Sequence, residues 1–358
     1  MTRGTHGRNV GRMTPPRVLL RALAVAAIVL PLSAPGIANA RSHPQLTVMT
    51  RNLYLGSDLS PATSATTPFG FLSGVATIYG RMLFTDFPTR AGALAAEVAA
   101  DHPDLIGLQE VSTWTTAGPT AGPSLDFLAI LQQQLLARGL HYDVAAVSHN
   151  ADISAPLASP CDGPLFSCSL RFQDRDVILV NHDRAGLSVG NARTGRYAAQ
   201  VVLATPVGPL SFDRGWATVD AVLDGRAFRF ADTHLETEDA PAVQEAQGRE
   251  FLAAVRTKGA VVAVGDFNSA SDGSTTTTYA DLTSDWFRDG AADVGATCCQ
   301  GGLLVNPTSA LTTRIDLVLA HGPVQPRSAR RIGATPFQAS PPLWPSDHAG
   351  VVATLRLP

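Results

Sequence analysis

Val261-Val262-Ala263-Val264-Gly265-Asp266-Phe267-Asn268 is an apolar run that passes at once into a glycine, an acid and an amide, and its reading decides the fold. A run so short and so apolar, closed by glycine, reads as a strand buried on both faces. Its C-terminal end delivers Asp266 and Asn268 to one edge of a sheet, the edge at which open α/β sheets bind ligands. Three other stretches repeat the pattern: Leu46-Thr47-Val48-Met49 leads to Asn52, Leu105-Ile106-Gly107-Leu108 to Gln109 and Glu110, and Phe228 to Ala231 leads to His234. One such ending is ordinary turn chemistry. Four of them, with acids, amides and a histidine but no lysine, point to convergence on one site.

Two further segments extend the set. Arg314-Ile315-Asp316-Leu317-Val318-Leu319 places an acid inside an apolar strand, where an unpaired carboxylate would be costly, so Asp316 requires a cation or an imidazole. Trp344-Pro345-Ser346-Asp347-His348 precedes the last apolar strand, Ala349 to Leu355, and supplies both an acid and that imidazole. Helices are expected over Thr89 to Ala100, over Leu125 to Arg138 with the Gly139 stop, and over Pro241 to Val255 with proline at its start. Strands interleaved with helices, without a break in composition, predict one layered α/β domain.

Charge narrows the function. The chain has 358 residues, and five of its 27 basic residues fall in residues 1–40, which contain no acid; the remaining 22 face all 30 acids. So acidic a body argues against sequence-blind wrapping of a phosphate polymer, which relies on neutralising phosphates with Lys and Arg. It leaves open a nucleic acid held only at a metal site. The arginine-dotted start, the apolar Ala22 to Leu32 and the Ala38-Asn39-Ala40 pattern read as a secretory signal over 1–40, with the functional domain over 41–358 and no later transmembrane segment. In an exported chain the four cysteines favour oxidation. Cys161 and Cys168 can close a small loop; the adjacent Cys298 and Cys299 leave three connectivities open.

Taken in chain order, these motifs resemble the endonuclease/exonuclease/phosphatase superfamily of metal-dependent phosphoesterases. The matching residues are TRNL with Asn52, LQEV with Glu110, DTHLE with His234, GDFNS with Asp266 and Asn268, RIDLVL with Asp316, and SDHAGV with Asp347 and His348. The resemblance implies a four-layer α/β sandwich, two packed mixed β-sheets flanked by helices. It implies that Glu110 binds Mg²⁺, with Mn²⁺ or Ca²⁺ as substitutes, and that Asn52 and Asp347 complete or support that site. Asp266 would orient and deprotonate the attacking water, with Asn268 holding water or a phosphate oxygen. His348 would face the scissile phosphate, steadied by Asp316, and His234 would donate to a non-bridging oxygen. Whether Asp266 or His348 is the base stays open. The family also places a residue on the strand pair before the histidine segment, where Arg175 or Asp176 is the nearest match; Asp232 and Glu236 read as solvated strand-end charges.

The substrate is set by loops. Gly56 to Pro88 carries Phe69, Phe71, Ile78, Tyr79, Met82 and Phe84, and is expected to hang over the active edge as a lipid-gripping insertion or lid, or else to pack as an extra helix. A second loop is expected over His149 to Arg171. The leading expectation is a secreted, monomeric phosphodiesterase of endonuclease/exonuclease type acting on nucleic acid. The alternatives are a sphingomyelinase-like or inositol-phosphate phosphoesterase acting on a phospholipid or small phosphoester, and an inactive binding protein on the same scaffold.

Overall fold

The computed structural model describes residues 12–16, 43–119, 122–164 and 166–358. Apart from residues 12–16, the export signal expected over 1–40 therefore lies outside the described residues. From His43 onward the elements are β1 (Gln45–Asn52), α1 (Ser60–Thr63), α2 (Pro68–Phe84), α3 (Phe87–Asp101), β2 (Leu105–Gln109), β3 (Thr113–Ala117), β4 (Leu125–Asp126), α4 (Phe127–Leu136), β5 (Tyr142–Pro156) and β6 (Ser169–Asn181). The chain continues through β7 (Leu187–Arg196), β8 (Val201–Thr205), β9 (Gly208–Phe212), β10 (Gly215–Leu223), β11 (Arg226–His234), α5 (Pro241–Val255), β12 (Ala260–Asp266) and α6 (Thr278–Asp285). It ends with β13 (Arg288–Asp289), β14 (Asp316–His321), β15 (Gln325–Ile332), β16 (Gln338–Ala339), β17 (Pro342–Leu343) and β18 (Gly350–Arg356).

The first large sheet has the order β15-β18-β1-β2-β6-β3-β4, with β5 also on β6; the second has β13-β14-β12-β11-β10-β7. Both are mixed, since β1 is parallel to β2 but antiparallel to β18, and β12 is parallel to β11 but antiparallel to β14. The two-residue period of a strand sorts its side chains into layers. Leu46 and Val48 pack with Val262, Val264 and Val318 between the sheets. Met49 and Ile106 point the other way, onto Ile78, Leu94 and Leu131 of α2, α3 and α4. Behind the second sheet, Val261, Ala263 and Leu319 meet Phe251 of α5 and Leu282 of α6. Helices, sheet, sheet, helices is the four-layer sandwich expected. At Gly107 the sheets approach so closely that a Cβ would lie 2.6 Å from Asp232 Oδ1.

The expected helices form, α5 as expected, α3 over Phe87–Asp101 and α4 over Phe127–Leu136, the last two with ends moved by one or two residues. Leu125 pairs with Trp114 in β4, and Asp126 Oδ1 accepts from Leu128 N at 3.0 Å, so the cap starts α4 at Phe127. The Gly56–Pro88 stretch is not a free lid. Thr67 Oγ1 accepts from Gly70 N at 3.0 Å, Pro68 opens the first turn, and Phe71, Val75, Ile78 and Met82 recur at helical spacing and bury as α2 against the first sheet. The second expected loop is in part strand: β5 runs to Pro156 and β6 starts at Ser169, and the connection between them is closed by a Cys161–Cys168 disulfide. The sulfurs of the adjacent Cys298 and Cys299 lie side by side.

Candidate functional site

Strand register assembles the site. In the second sheet His234 pairs with Asp266 across β11 and β12, and Asp266 with Asp316 across β12 and β14, so three motif residues stand in one row. In the first sheet Asn52 pairs with Gln109, which puts Glu110 one residue past the same edge. Two buried arginines lash the last motif to this edge. Arg90 donates to Leu53 O at 2.7 Å and to Pro345 O at 2.9 Å, while Arg51 donates to His348 O and to Glu97 at 2.9 Å. Burial lowers the Arg90 pKa to about 10, which still leaves it cationic at neutral pH.

Asp266 is the hub. Its Oδ2 accepts from Asn52 Nδ2 at 3.1 Å and lies 3.5 Å from His234 Nε2 and 3.7 Å from His348 Nε2. Its Oδ1 accepts from Asn268 N at 3.0 Å. Burial pushes its pKa up to about 6, the nearby His348 pulling the other way. Nδ1 of His348 lies 2.9 Å from Asp316 Oδ2, so the ring sits between two carboxylates. Burial opposes its charge, but Asp316, Asp266 and Asp347 outweigh that and hold its pKa well above the ordinary value. Cys299 Sγ is 3.8 Å from His348 Nε2. His234 is the opposite case: burial, then Arg214 and His348, lower its pKa well below the ordinary value. Its contact with Asp266 is therefore made by a neutral ring and is not an ion pair. Asn268 spends one amide hydrogen on Leu235 O at 2.9 Å.

On the other side, Glu110 Oε2 accepts from Leu55 N at 2.6 Å. Burial, then Asp347 and Asp174, push the Glu110 pKa up to about 8, and burial also raises Asp347. No arginine forms an ion pair with either carboxylate among the described residues. Two acids with raised pKa values beside the Asn52 amide are an all-oxygen donor set suited to a hard divalent cation. Asn52 Oδ1 already accepts from Tyr54 N at 2.9 Å, which leaves one lone pair. The ligating atoms of Asp266, Asp316 and His348 lie within 4.8 Å of one another, as do those of Asp174, Asp176 and His234 and those of Cys298, Cys299 and His348.

The sequence reading missed Arg214, Asp174 and Asn150. Arg214 Nη1 lies 2.9 Å from His234 Nδ1, and Arg214 Nη2 is 3.8 Å from Glu236 Oε1. Asn150 donates to Asp174 at 3.3 Å. Arg214 immediately precedes the antiparallel strand β10, so it reaches the active edge at a strand's N-terminal end, and a search of strand C-termini passes over it. Asp174 follows Phe172 on the inward face of β6, and that alternation was its only signal. Arg175 is not at the site: it holds Asp126 at 2.7 Å and Thr113 at 2.8 Å, anchoring the start of α4. Asp232 and Glu236 are not solvated. Asp232 faces the other sheet, fully buried, and accepts from Gln109 Nε2 at 2.7 Å; Glu236 is turned in toward Arg214.

Asp176 is buried as well, and neither of its oxygens has a hydrogen-bond partner. Burial, then Asp232 and Asp174, raise its pKa well above the ordinary value. A carboxyl that holds its proton more tightly folded than unfolded costs stability increasingly as pH rises above ~4. Asp176→Asn is therefore expected to raise the melting temperature by about 2 °C or more at pH 8 and to change it little at pH 4. Scanning calorimetry at the two pH values checks this, and an equal shift at both would contradict it.

The sequence model of the Endonuclease/Exonuclease/phosphatase family matches residues 78–348, and the chain belongs to that family. Among solved structures, a Bacteroides thetaiotaomicron protein of the family is similar at 14% identity and a TM-score of 0.57, over 88% of this chain and 97% of that one. D. rerio TDP2, solved with a single-strand DNA product, is similar at 15% identity and 0.53, over 87% and 99%. A Beutenbergia cavernae DSM 12333 protein is similar at 20% and 0.53, over 87% and 72%. At these identities the likeness is one of fold. Comparison with curated proteins gives no match. The family makes this chain a metal-dependent phosphoesterase of nuclease or phosphatase type.

Proposed function

We propose that the chain is an exported phosphodiesterase that uses a divalent cation, Mg²⁺ in the first place, at Glu110, Asn52 and Asp347. The observation that carries this reading is the convergence of His234, His348 and Asn52 on a single carboxylate oxygen of Asp266, beside an acid pair that forms no ion pair with an arginine among the described residues. A bound cation would supply charge for a phosphate oxygen. Asp266 takes a proton from water as the water oxygen bonds to phosphorus. His348, held by Asp316 and charged between two carboxylates, stabilises the departing oxygen and gives it a proton as the P–O bond breaks. The neutral His234, backed by Arg214, donates to a non-bridging oxygen. All these residues come from one chain, as a monomeric enzyme requires. Export is supported by the sequence of residues 1–40 and by the paired cysteines; no helix among the described residues is long and apolar enough to cross a membrane.

The test is hydrolysis of bis-p-nitrophenyl phosphate. EDTA is expected to abolish it and Mg²⁺, Mn²⁺ or Ca²⁺ to restore it, whereas full activity in chelator overturns the reading. Plasmid and single-stranded DNA, sphingomyelin and inositol phosphates in the same assay separate substrate classes. The fold shared with TDP2 speaks for DNA. The cleft speaks against a polyanion, because it is lined by Asp58, Glu110, Asp174, Asp213, Glu236 and Asp239 with Arg214 as its one base.

A further inference from the structure

The cleft that holds Glu110, Asp174 and Arg214 has a volume of about 370 Å³ and does not end at its polar wall. A second cavity of about 50 Å³ adjoins it, and Leu59, Thr63, Phe172 and Phe212 line both. Deeper in, the second cavity is walled by Phe71, Ile78, Trp114, Ala155 and Leu210, so Thr63 is its one polar lining residue. Each wall is tied along the chain to a residue of the polar site. Leu59 lies four residues after Leu55, whose N–H holds Glu110; Phe172 lies two residues before Asp174; Phe212 lies two residues before Arg214. The pocket lies between α1 and α2, strands β3, β5 and β6 of the first sheet, and the β8–β9 hairpin, which pairs only with itself.

We infer that this pocket is a substrate subsite and that its occupant is a hydrocarbon chain esterified to the scissile phosphate. The substrate is then an amphiphilic phosphodiester such as a phospholipid. An apolar cavity opening beside a phosphate site has no use for a nucleotide's polar sugar, and water gains few hydrogen bonds there. A chain anchored at phosphorus would reach the pocket past Thr63 and displace that water, which favours binding in proportion to the apolar area covered. The inference rests on the phosphodiesterase reading and adds to it the identity of one ester group.

The test uses monomeric p-nitrophenyl alkyl phosphodiesters, ethyl through octyl, below their aggregation concentrations. In every case the leaving group is p-nitrophenolate and only the alkyl chain changes. The kcat/KM is expected to climb with chain length by up to about fourfold per buried methylene and then to level off when the pocket is full. Ala155→Phe, which fills the pocket, and Thr63→Trp, which closes its entrance, should bring the octyl-to-ethyl ratio down toward one; taking the ratio within each variant cancels partial unfolding. Metal-dependent turnover with no chain-length effect in the wild type overturns the subsite and leaves the phosphodiesterase reading standing. Failure of every ester to react removes that reading instead. The subsite is then decided by titrating dioctyl phosphate against the fluorescence of Trp114, a pocket residue, with Trp114→Phe identifying its signal. A saturable change that Ala155→Phe abolishes supports the pocket, and no change, or the same change in both proteins, rejects it.

Discussion

His348→Ala is expected to lower turnover of bis-p-nitrophenyl phosphate by about 10²–10⁴-fold, the range of a positioned acid–base group. The ring is buried, and Asp316, itself fully buried, bonds its Nδ1 side. Removing the imidazole therefore strands a carboxylate, and breaking a buried pair costs about 3–5 kcal/mol, so circular dichroism must accompany the assay. His348→Gln keeps a donor toward Asp316 and serves as the better-folded variant, with a similar loss of turnover. Asp316→Asn should cost less, since the amide still orients the ring but no longer favours its charged form. If the two residues act as one unit, the double variant will be little worse than His348→Ala alone. Turnover losses that multiply, in proteins that all fold, would show instead that Asp316 and His348 act independently.

The layered core was legible because its strands carry alternating apolar residues that both faces need. Val261 and Ala263 face α5 and α6, while Val262 and Val264 face the first sheet, and only a strand covered on both sides tolerates such a run. What was not legible was the insertion after β1. Its apolar residues satisfy helical spacing, yet an apolar loop following an active-site strand reads equally as a lid; the Thr67 cap and the packing of Phe71 and Ile78 on the first sheet decide for a helix. The β8–β9 hairpin was missed for a different reason. It pairs with neither large sheet, so nothing in the strand pattern of the core predicts it.

The candidate residues at the C-terminal ends of parallel strands do meet at one edge, because each strand end there places its next polar residue at that edge. Arg214 and Asp174 escaped because antiparallel strands bring their starts and middles to that edge, where no local sequence rule marks them. Asp232 shows the converse error. It precedes a motif histidine and reads as a solvated charge, yet β11 lies between the layers, and alternation turns Asp232 inward over Gly107, whose missing side chain makes the space.

Glu110→Gln should separate the cost of the acid cluster from its use. Without a cation, burial and the fields of Asp347 and Asp174 disfavour the Glu110 charge, pushing its pKa up to about 8. A neutral amide of the same shape removes that repulsion, and its oxygen can still accept from Leu55 N. In chelator the variant is therefore expected to melt at or above the wild-type temperature at pH 7.5. With metal the order reverses. A cation at a hundred times its dissociation constant stabilises the wild type by about 2.7 kcal/mol, a rise that Glu110→Gln should lose. Turnover should fall by about a thousandfold or more, as several kcal/mol of charge stabilisation disappear from the transition state. Thermal scans with EDTA and with Mn²⁺, paired with the nitrophenyl assay, read both effects. A variant that loses activity but keeps the full metal-induced shift would place the cation away from Glu110. One that melts well below the wild type in chelator would show that the carboxylate's bond to the Leu55 amide outweighs the repulsion around it.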